Sequence, residues 1–256
     1  MKQGAALLVI YTREFRVQYW LFESKYNDLF MGNNVQASNS DLLKIKIQMV
    51  MPRLEEQLRL FWAHPKIDEL FRQHLTQLYH SVRASVPLLE CALEEARRLS
   101  PKCPVADQLK TYLTDHIAEE QGHDTRLLED IEILELSDKV RRVTPPDIVT
   151  KIGTQYYYIK HEHPVSILAY LAVIEGNPPT TKELDIVTRK MAIPKSSLRS
   201  LYEHAEIDAF HSEELWSLID SLPLTSSHTE ILGVNAMMAV DQAASAYESL
   251  LVSSPE

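Results

Sequence analysis

Polar residues interrupt an apolar helical stripe in the stretch 201–222. His204, Asp208 and His211 are spaced i, i+4 and i+7, which places them within about 60° of one another on an α-helix. Leucines continue the same stripe on either side: Leu201, Leu215, Leu218 and Leu222. Two imidazoles and a carboxylate are costly to bury unless a partner compensates them. A metal ion is the most economical partner, and a solvated helix with chance histidines is the alternative.

The remainder of the chain carries helical patterns. We find no convincing alternation of apolar and polar residues with period 2, and no internal repeat. Glycine is scarce, at 6 of 256 residues, as is typical of a helical protein. The sequence therefore predicts an all-α fold in one domain over 1–256, with 1–40 an N-terminal extension packed on a core bundle of 41–252.

Caps, prolines and apolar periodicity delimit the predicted helices. Pro87 is expected to kink or break the chain within its helical region. We predict a cap at Ser40 and Asp41 for the helix that follows the N-terminal extension. The predicted helices span residues 14–30, 41–63, 66–79, 81–99, 105–136, 146–163, 165–175, 181–192, 196–222 and 229–251.

Charge and composition exclude several classes of protein. With a net charge of −10, the sequence gives no indication of a basic surface that would bind nucleic acid. No apolar run approaches the roughly 18 residues of a membrane span, and the apolar segment 4–11 lacks the cleavage pattern of a signal peptide. Cys91 and Cys103 are not spaced like the ligands of a zinc site, and they do not indicate a disulfide framework. We therefore expect a cytoplasmic protein, in a reducing compartment, that binds neither nucleic acid nor membrane.

A second polar interruption falls in the predicted helix 105–136. Glu120 and His123 are spaced i, i+3, as are pairs of ligands in di-iron carboxylate bundles. His116, one heptad before His123, is a candidate ligand or a contact of a ligand. Glu119, about 100° from Glu120, is a weaker candidate, and Asp130 is a further candidate contact. A solvated charged face is the alternative interpretation of His116, Glu119 and Glu120.

Glu175 is the odd acid in an otherwise apolar helix. It lies in the last turn, where the helix dipole disfavours a negative charge. A metal would compensate that cost, and so would plain exposure to solvent. Three imidazoles and three carboxylates are enough to hold two divalent ions, and mixed nitrogen and oxygen ligands suit iron or manganese. We assign the other histidines to packing or to the surface: His64, His74, His80, His161, His163 and His228.

Three motifs, in this order, carry a resemblance to a known family. They are His116-Ile-Ala-Glu-Glu-Gln-Gly-His123-Asp, Ile174-Glu175-Gly176 and His204-x-x-x-Asp208-x-x-His211. Over about residues 40–225 the chain resembles the haem-oxygenase-like di-iron oxidases and oxygenases, iron-containing redox enzymes related to the thiaminase II and PQQ-synthesis folds. One departure is that some members place the first glutamate seven residues before the histidine that corresponds to His123, at the position where this chain has His116.

The resemblance implies a seven-helix bundle without haem, with two irons in its core. It implies six ligands: Glu120, His123, Glu175, His204, Asp208 and His211. Such enzymes use O₂ for N-oxygenation, C–C cleavage or desaturation of small amines, amino acids or fatty acids. The expected partners are thus O₂ and a small-molecule substrate, and an acidic bundle of this kind is also able to form a homodimer.

Three other interpretations stay open at this stage. A cofactor-free enzyme of the same fold is the nearest, because a fold does not determine a function. A ferritin-like di-iron bundle would use Glu120 and His123 as half of its paired motif, but a second Glu-x-x-His is missing. A non-enzymatic helical interaction protein would leave the polar stripes unexplained. Haem binding is disfavoured, because no glycine-rich helix is present to let a macrocycle approach the backbone.

Overall fold

The chain folds into α-helices throughout the part that the structure, a computed structural model, describes. It describes residues 37–140, 143–176 and 179–253, apart from the side chains of residues 207–210. The predicted helix 14–30 and the packing of the N-terminal extension lie outside these residues. The α-helices are α1 (Asn39–Ala63), α2 (Ile67–Leu99), α3 (Pro104–Glu120), α4 (His123–Ile133), α5 (Ser137–Val140), α6 (Pro146–Tyr157), α7 (Ser166–Ile174), α8 (Thr181–Lys190), α9 (Arg199–Ser221) and α10 (Ser226–Ser253).

The all-α prediction is confirmed, and no strand occurs in the described ranges. A single π-helical turn (Tyr158–Glu162) prolongs α6, and a 3₁₀ turn (Lys195–Ser197) precedes α9. Ten α-helices are present in these ranges, short segments included. None of the described helices is long and apolar enough to cross a membrane.

The start of α1 differs from its prediction by two residues. Ser38, rather than Ser40, caps the helix, and it forms a reciprocal capping box with Asp41. Ser40 instead turns to α9, where its backbone N–H and its hydroxyl each donate a hydrogen bond of 2.8 Å to Asp220. This contact ties the beginning of the first described helix to the end of α9.

Pro87 neither breaks nor divides its helix. The predicted helices 66–79 and 81–99 form the single helix α2, with Pro87 inside it. Proline removes one helical hydrogen bond. Buried side chains lie on both sides of it, among them Leu75, Leu88 and Leu89. Their packing against the core holds the two halves together.

Gly122 divides the predicted helix 105–136 into two. Its φ angle of +85° lies in the left-handed region that glycine adopts without strain. Helix α3 therefore ends at Glu120, and α4 begins at His123. Glu120 and His123 do not lie on one continuous helix, so the i, i+3 argument does not explain their proximity.

Two apolar clusters make up most of the core, and the break at Gly122 separates them. Leu113 and Ile117 of α3 belong to the first cluster, whereas Leu127 and Ile131 of α4 belong to the second. Helix α9 makes the same transition, because its N-terminal half packs in the second cluster and its C-terminal half in the first. The polar residues of α3, α4 and α9 thus lie where both chain segments pass from one cluster to the other.

A buried amide pair fixes α7 in the bundle. Gln155 of α6 and Asn235 of α10 exchange hydrogen bonds of 3.1 and 2.8 Å, and Asn235 also donates to the Ser166 carbonyl at 2.8 Å. All three residues are fully buried. Unsatisfied amides at this depth would be costly, so the pair sets the position of α7 and of Glu175 at its end.

Candidate metal centre

Four helices bring their polar residues to the boundary between the two clusters. His116, Glu119 and Glu120 lie near the end of α3, and His123 is the first residue of α4. Glu175 caps the C-terminus of α7. His204 and His211 come from the middle of α9. These residues form two groups, each with the donor types that bind a divalent metal.

The first group, which we call the Glu175 group, consists of His116, Glu175 and His211. One potential ligand atom from each lies within 4.8 Å of those of the other two. His116 Nε2 is 3.3 Å from Glu175 Oε1, and the exposed fractions of His116 and His211 are only 2% and 6%. Glu119 reaches in from the surface, with its Oε2 3.2 Å from His211 Nε2 and 3.7 Å from His116 Nδ1.

The second group, the Glu120 group, consists of Glu120, His123 and His204. Its potential ligand atoms also lie within 4.8 Å of one another. His123 Nδ1 is 3.3 Å from Glu120 Oε1, and the rings of His123 and His204 are 4.5 Å apart, edge to face. The Nδ1 of His204 is 2.8 Å from the Ser200 carbonyl, to which it donates. This hydrogen bond leaves the Nε2 lone pair of His204 available to a metal.

The electrostatics of both groups favour pairing of opposite charges. Burial works against the charged form of His116, but Glu175, Glu120 and Glu119 outweigh it and raise the pKa of His116 above its ordinary value. Burial likewise opposes the carboxylate of Glu120, yet the neighbouring imidazoles, chiefly His123, lower the pKa of Glu120. Glu120 is therefore held as a carboxylate, the form that binds metal.

Each group also contains a buried polar atom without a hydrogen-bond partner. In the Glu175 group it is Glu175 Oε2. In the Glu120 group it is His123 Nδ1, which lies 3.3 Å from Glu120 Oε1 but has no partner in hydrogen-bond geometry. Native proteins leave few such atoms, so each requires an explanation. A cation bound in each group would supply the missing interactions. The residues present therefore fit a pair of metal ions with mixed nitrogen and oxygen ligands.

The structure brings together five of the six predicted ligands: Glu120, His123, Glu175, His204 and His211. Asp208 lies on α9 between the two histidines, and because its side chain is outside the described part, its role stays a prediction. His116, predicted as a ligand or as a contact of one, joins the Glu175 group. Glu119, predicted as a weaker candidate, contacts two imidazoles.

Asp130 belongs to neither group but supports one of their residues indirectly. It is almost fully buried, and it accepts hydrogen bonds from the Ser200 backbone N–H at 2.7 Å and from Arg199 Nε at 3.2 Å. Ser200 in turn accepts the hydrogen bond of His204 through its carbonyl. Asp130 therefore fixes the first turn of α9 and, through it, the orientation of the His204 ring.

We expect Asp130→Ala to weaken Fe(II) binding by about 10- to 100-fold, because contacts that orient a ligand have effects of that size. The measurement is an anaerobic Fe(II) titration of the folded protein. Glu129→Gln is a matched control, since Glu129 pairs with Arg199 at the surface and does not touch Ser200. Equal affinities of Asp130→Ala and the control would contradict the positioning role.

A third cluster was not expected from the sequence. Cys103, His163 and His228 lie together, with Cys103 Sγ 3.5 Å from His163 Nε2. Both imidazoles accept a backbone N–H at Nδ1, from Val165 at 3.1 Å and from Thr225 at 3.2 Å. In the neutral form each ring then carries its proton on Nε2, unlike His204. The arrangement favours a hydrogen-bonded cluster over a metal site, which agrees with the structural roles assigned to His163 and His228.

A cavity of about 400 Å³ adjoins the Glu120 group. His204 borders it, and aliphatic and aromatic residues from α1, α2, α8 and α10 form most of its wall, among them Met51, Leu58, Phe71, Leu184 and Tyr247. A volume of this size and an apolar lining are typical of a small-molecule site. The candidate metal centre and this cavity thus share His204.

Comparisons with known proteins identify the family. A family model described as "iron-containing redox enzyme" matches residues 72–242, which is most of the chain. The chain therefore belongs to the iron-containing redox enzyme family, as its motifs had indicated. No curated protein matches it.

Solved structures show the same fold. A domain of unknown function with a haem-oxygenase-like fold from Shewanella denitrificans aligns with a TM-score of 0.64 and 19% identity, over 82% of this chain and 88% of that one. A TenA homologue from Pseudomonas syringae pv. tomato aligns with a TM-score of 0.62 and 17% identity, over 81% and 90% of the two chains. At these identities the similarity shows the haem-oxygenase-like fold alone.

Proposed function

We propose that this protein is a non-haem di-iron oxidase or oxygenase that uses O₂ to oxidise a small organic substrate. One observation carries the proposal: two adjacent groups of histidines and carboxylates, each with a buried atom that lacks a hydrogen-bond partner, meet beside an apolar cavity. Membership of the iron-containing redox enzyme family favours iron over manganese as the metal.

One iron would be held by the Glu175 group and the other by the Glu120 group. Asp208, midway between the two histidines of α9, is the sixth predicted ligand. When bound, the two ferrous ions would supply electrons for the reduction of O₂. The mixture of imidazole and carboxylate ligands, without a thiolate, suits that metal.

The protein contributes charge, orientation and exclusion of water. Buried carboxylates balance the charge of the cations, and the imidazoles have to be neutral when they bind. The Ser200 carbonyl holds His204 in the tautomer whose Nε2 is free. Glu119, at the surface, contacts His211 and keeps that ring turned toward the group. The apolar cavity wall keeps bulk water away from a bound substrate.

Anaerobic loading with Fe(II) tests the proposal. We expect about two irons per chain after removal of the excess, and rapid O₂ consumption when air is admitted, in proportion to the bound iron. Loading with Mn(II) in parallel separates the two metals. Failure to bind either ion would contradict the proposal and would favour a cofactor-free enzyme or an interaction protein of the same fold.

A further inference from the structure

Lys151 of α6 is a cation that faces the apolar cavity. Its Nζ donates a hydrogen bond of 2.9 Å to Ser81 Oγ on α2. Among the described residues, no carboxylate forms an ion pair with it. A charge away from bulk water and without a counter-ion is costly, so a lysine in this position calls for an explanation.

The other polar groups of the cavity do not compensate the Lys151 charge. His74 is kept neutral, because burial and then the charge of Lys151 lower the pKa of His74 to about 4. The ring of Tyr247 stacks on His74, and burial raises the pKa of Tyr247, so that its hydroxyl is also neutral. Glu183 is engaged at the start of α8, where it accepts hydrogen bonds from the Thr180 backbone N–H and hydroxyl.

The remaining titratable group on the cavity wall is His204, which belongs to the candidate metal centre. The cavity therefore has the imidazole of a candidate metal ligand and a single unpaired cation on a wall that is otherwise mostly aliphatic and aromatic. A ligand complementary to this surface carries one negative charge and an apolar body. A cationic ligand would be repelled by Lys151.

We propose that the cavity binds an apolar carboxylic acid, with its carboxylate paired to Lys151 and its hydrocarbon part lying along the apolar wall. In this arrangement Lys151, and not the metal, holds the carboxylate. Binding of the acid does not depend on the proposed function. Its identification as the substrate rests on that function. Among the substrate classes that the family resemblance implies, the inference favours acids over simple amines.

The test measures binding to the full-length, metal-free protein by calorimetry. The probes are decanoate, decanol and decylammonium, which share one chain length and differ in charge. We expect decanoate to bind most tightly and decylammonium most weakly. Lys151→Met should weaken decanoate binding by about tenfold or more, the effect of one charged hydrogen bond, and leave decanol binding unchanged.

Two further variants and a stability measurement complete the design. Lys151→Arg keeps the charge and should retain the preference for decanoate, and Lys182→Met, at an exposed lysine of α8, is the matched control. Lys151→Met should also raise the melting temperature of the ligand-free protein by a few degrees, because it removes an uncompensated cation. A lysine with a purely structural role would lower that temperature when replaced.

The pH dependence gives an independent readout. Burial lowers the pKa of Lys151 to about 8, so its protonated fraction falls from about nine-tenths at pH 7 to about one-tenth at pH 9. Decanoate affinity should decrease about tenfold over that range, since only the protonated form pairs with a carboxylate. In Lys151→Met this pH dependence should be absent.

Equal binding of decanoate and decanol, or an unchanged decanoate affinity in Lys151→Met, would overturn the inference. These outcomes are independent of iron. Preferential binding of decanoate by a protein that takes up no metal would contradict the proposed function and leave the carboxylate site standing. Iron uptake by a protein that binds the three probes equally would support the proposed function and overturn the carboxylate site.

Discussion

His123→Ala and His211→Ala are each expected to lose iron while they retain the helical fold. One variant removes an imidazole from the Glu120 group and the other removes one from the Glu175 group. The surrounding packing is mostly aliphatic, and the loss of a ligand also removes buried polarity, so the fold should survive. We expect affinity at the altered group to fall by more than about 100-fold, beyond the effect of the contacts that only orient a ligand.

The measurement is iron content per chain after anaerobic loading, with circular dichroism as a check on helicity. Each single variant should retain about one iron or fewer, and the double variant none. His161→Ala is the control, because His161 is an exposed histidine outside both groups. Wild-type iron content in both single variants would refute the ligand assignments.

His116 is the second position where a large effect is expected. His116→Ala should lose the iron of the Glu175 group, whereas His116→Glu should keep it, because a carboxylate oxygen can replace the imidazole nitrogen as ligand. Without iron, however, the introduced carboxylate would lie beside Glu175, and two buried like charges repel each other. We therefore expect His116→Glu to melt well below the wild type when iron-free, and to gain more stability from iron.

Melting curves with and without Fe(II), taken anaerobically for the wild type and both variants, decide the role of His116. Binding of a ligand to the native state raises the melting temperature, and the rise grows with the logarithm of the ligand concentration relative to its Kd. If His116→Ala binds iron as the wild type does, His116 only contacts a ligand. If iron does not rescue His116→Glu, the Glu175 group holds no metal.

The parts of the centre that follow helical periodicity were predictable from the sequence. His204 and His211 share a face of α9 because i and i+7 always do, whatever the tertiary packing. Glu175 stands out because a lone carboxylate ends an entirely apolar helix. Local chemistry was sufficient for these residues, and the structure brings them to the same region.

Other parts depend on packing between distant segments. His116 pairs with Glu175 only because α3 and α7 end at the same place, 59 residues apart in the chain. A single glycine is tolerated inside many helices, so the sequence predicts one continuous helix across Gly122. Only the left-handed backbone of Gly122 shows that α3 ends before it. At Pro87 the difference is the opposite one. The sequence predicts a kink or break there, but buried leucines on both sides outweigh one lost hydrogen bond and the helix continues.

Nothing in the sequence predicts a functional role for Lys151. A single lysine in an amphipathic helix is normally at the surface, and no neighbour along the chain marks it as different. Its significance comes from the cavity formed between α2, α6 and α10, which is a property of the assembled bundle. The cluster of Cys103, His163 and His228 was undetectable for the same reason.

Anomalous diffraction at the iron edge, from crystals grown anaerobically with Fe(II), tests the central claim most directly. Two peaks are predicted, one within His116, Glu175 and His211 and the other within Glu120, His123 and His204, with Asp208 bound to at least one of the ions. A single peak at Cys103, His163 and His228, or the absence of any peak at these two groups in a protein that has been exposed to excess Fe(II), would contradict the account.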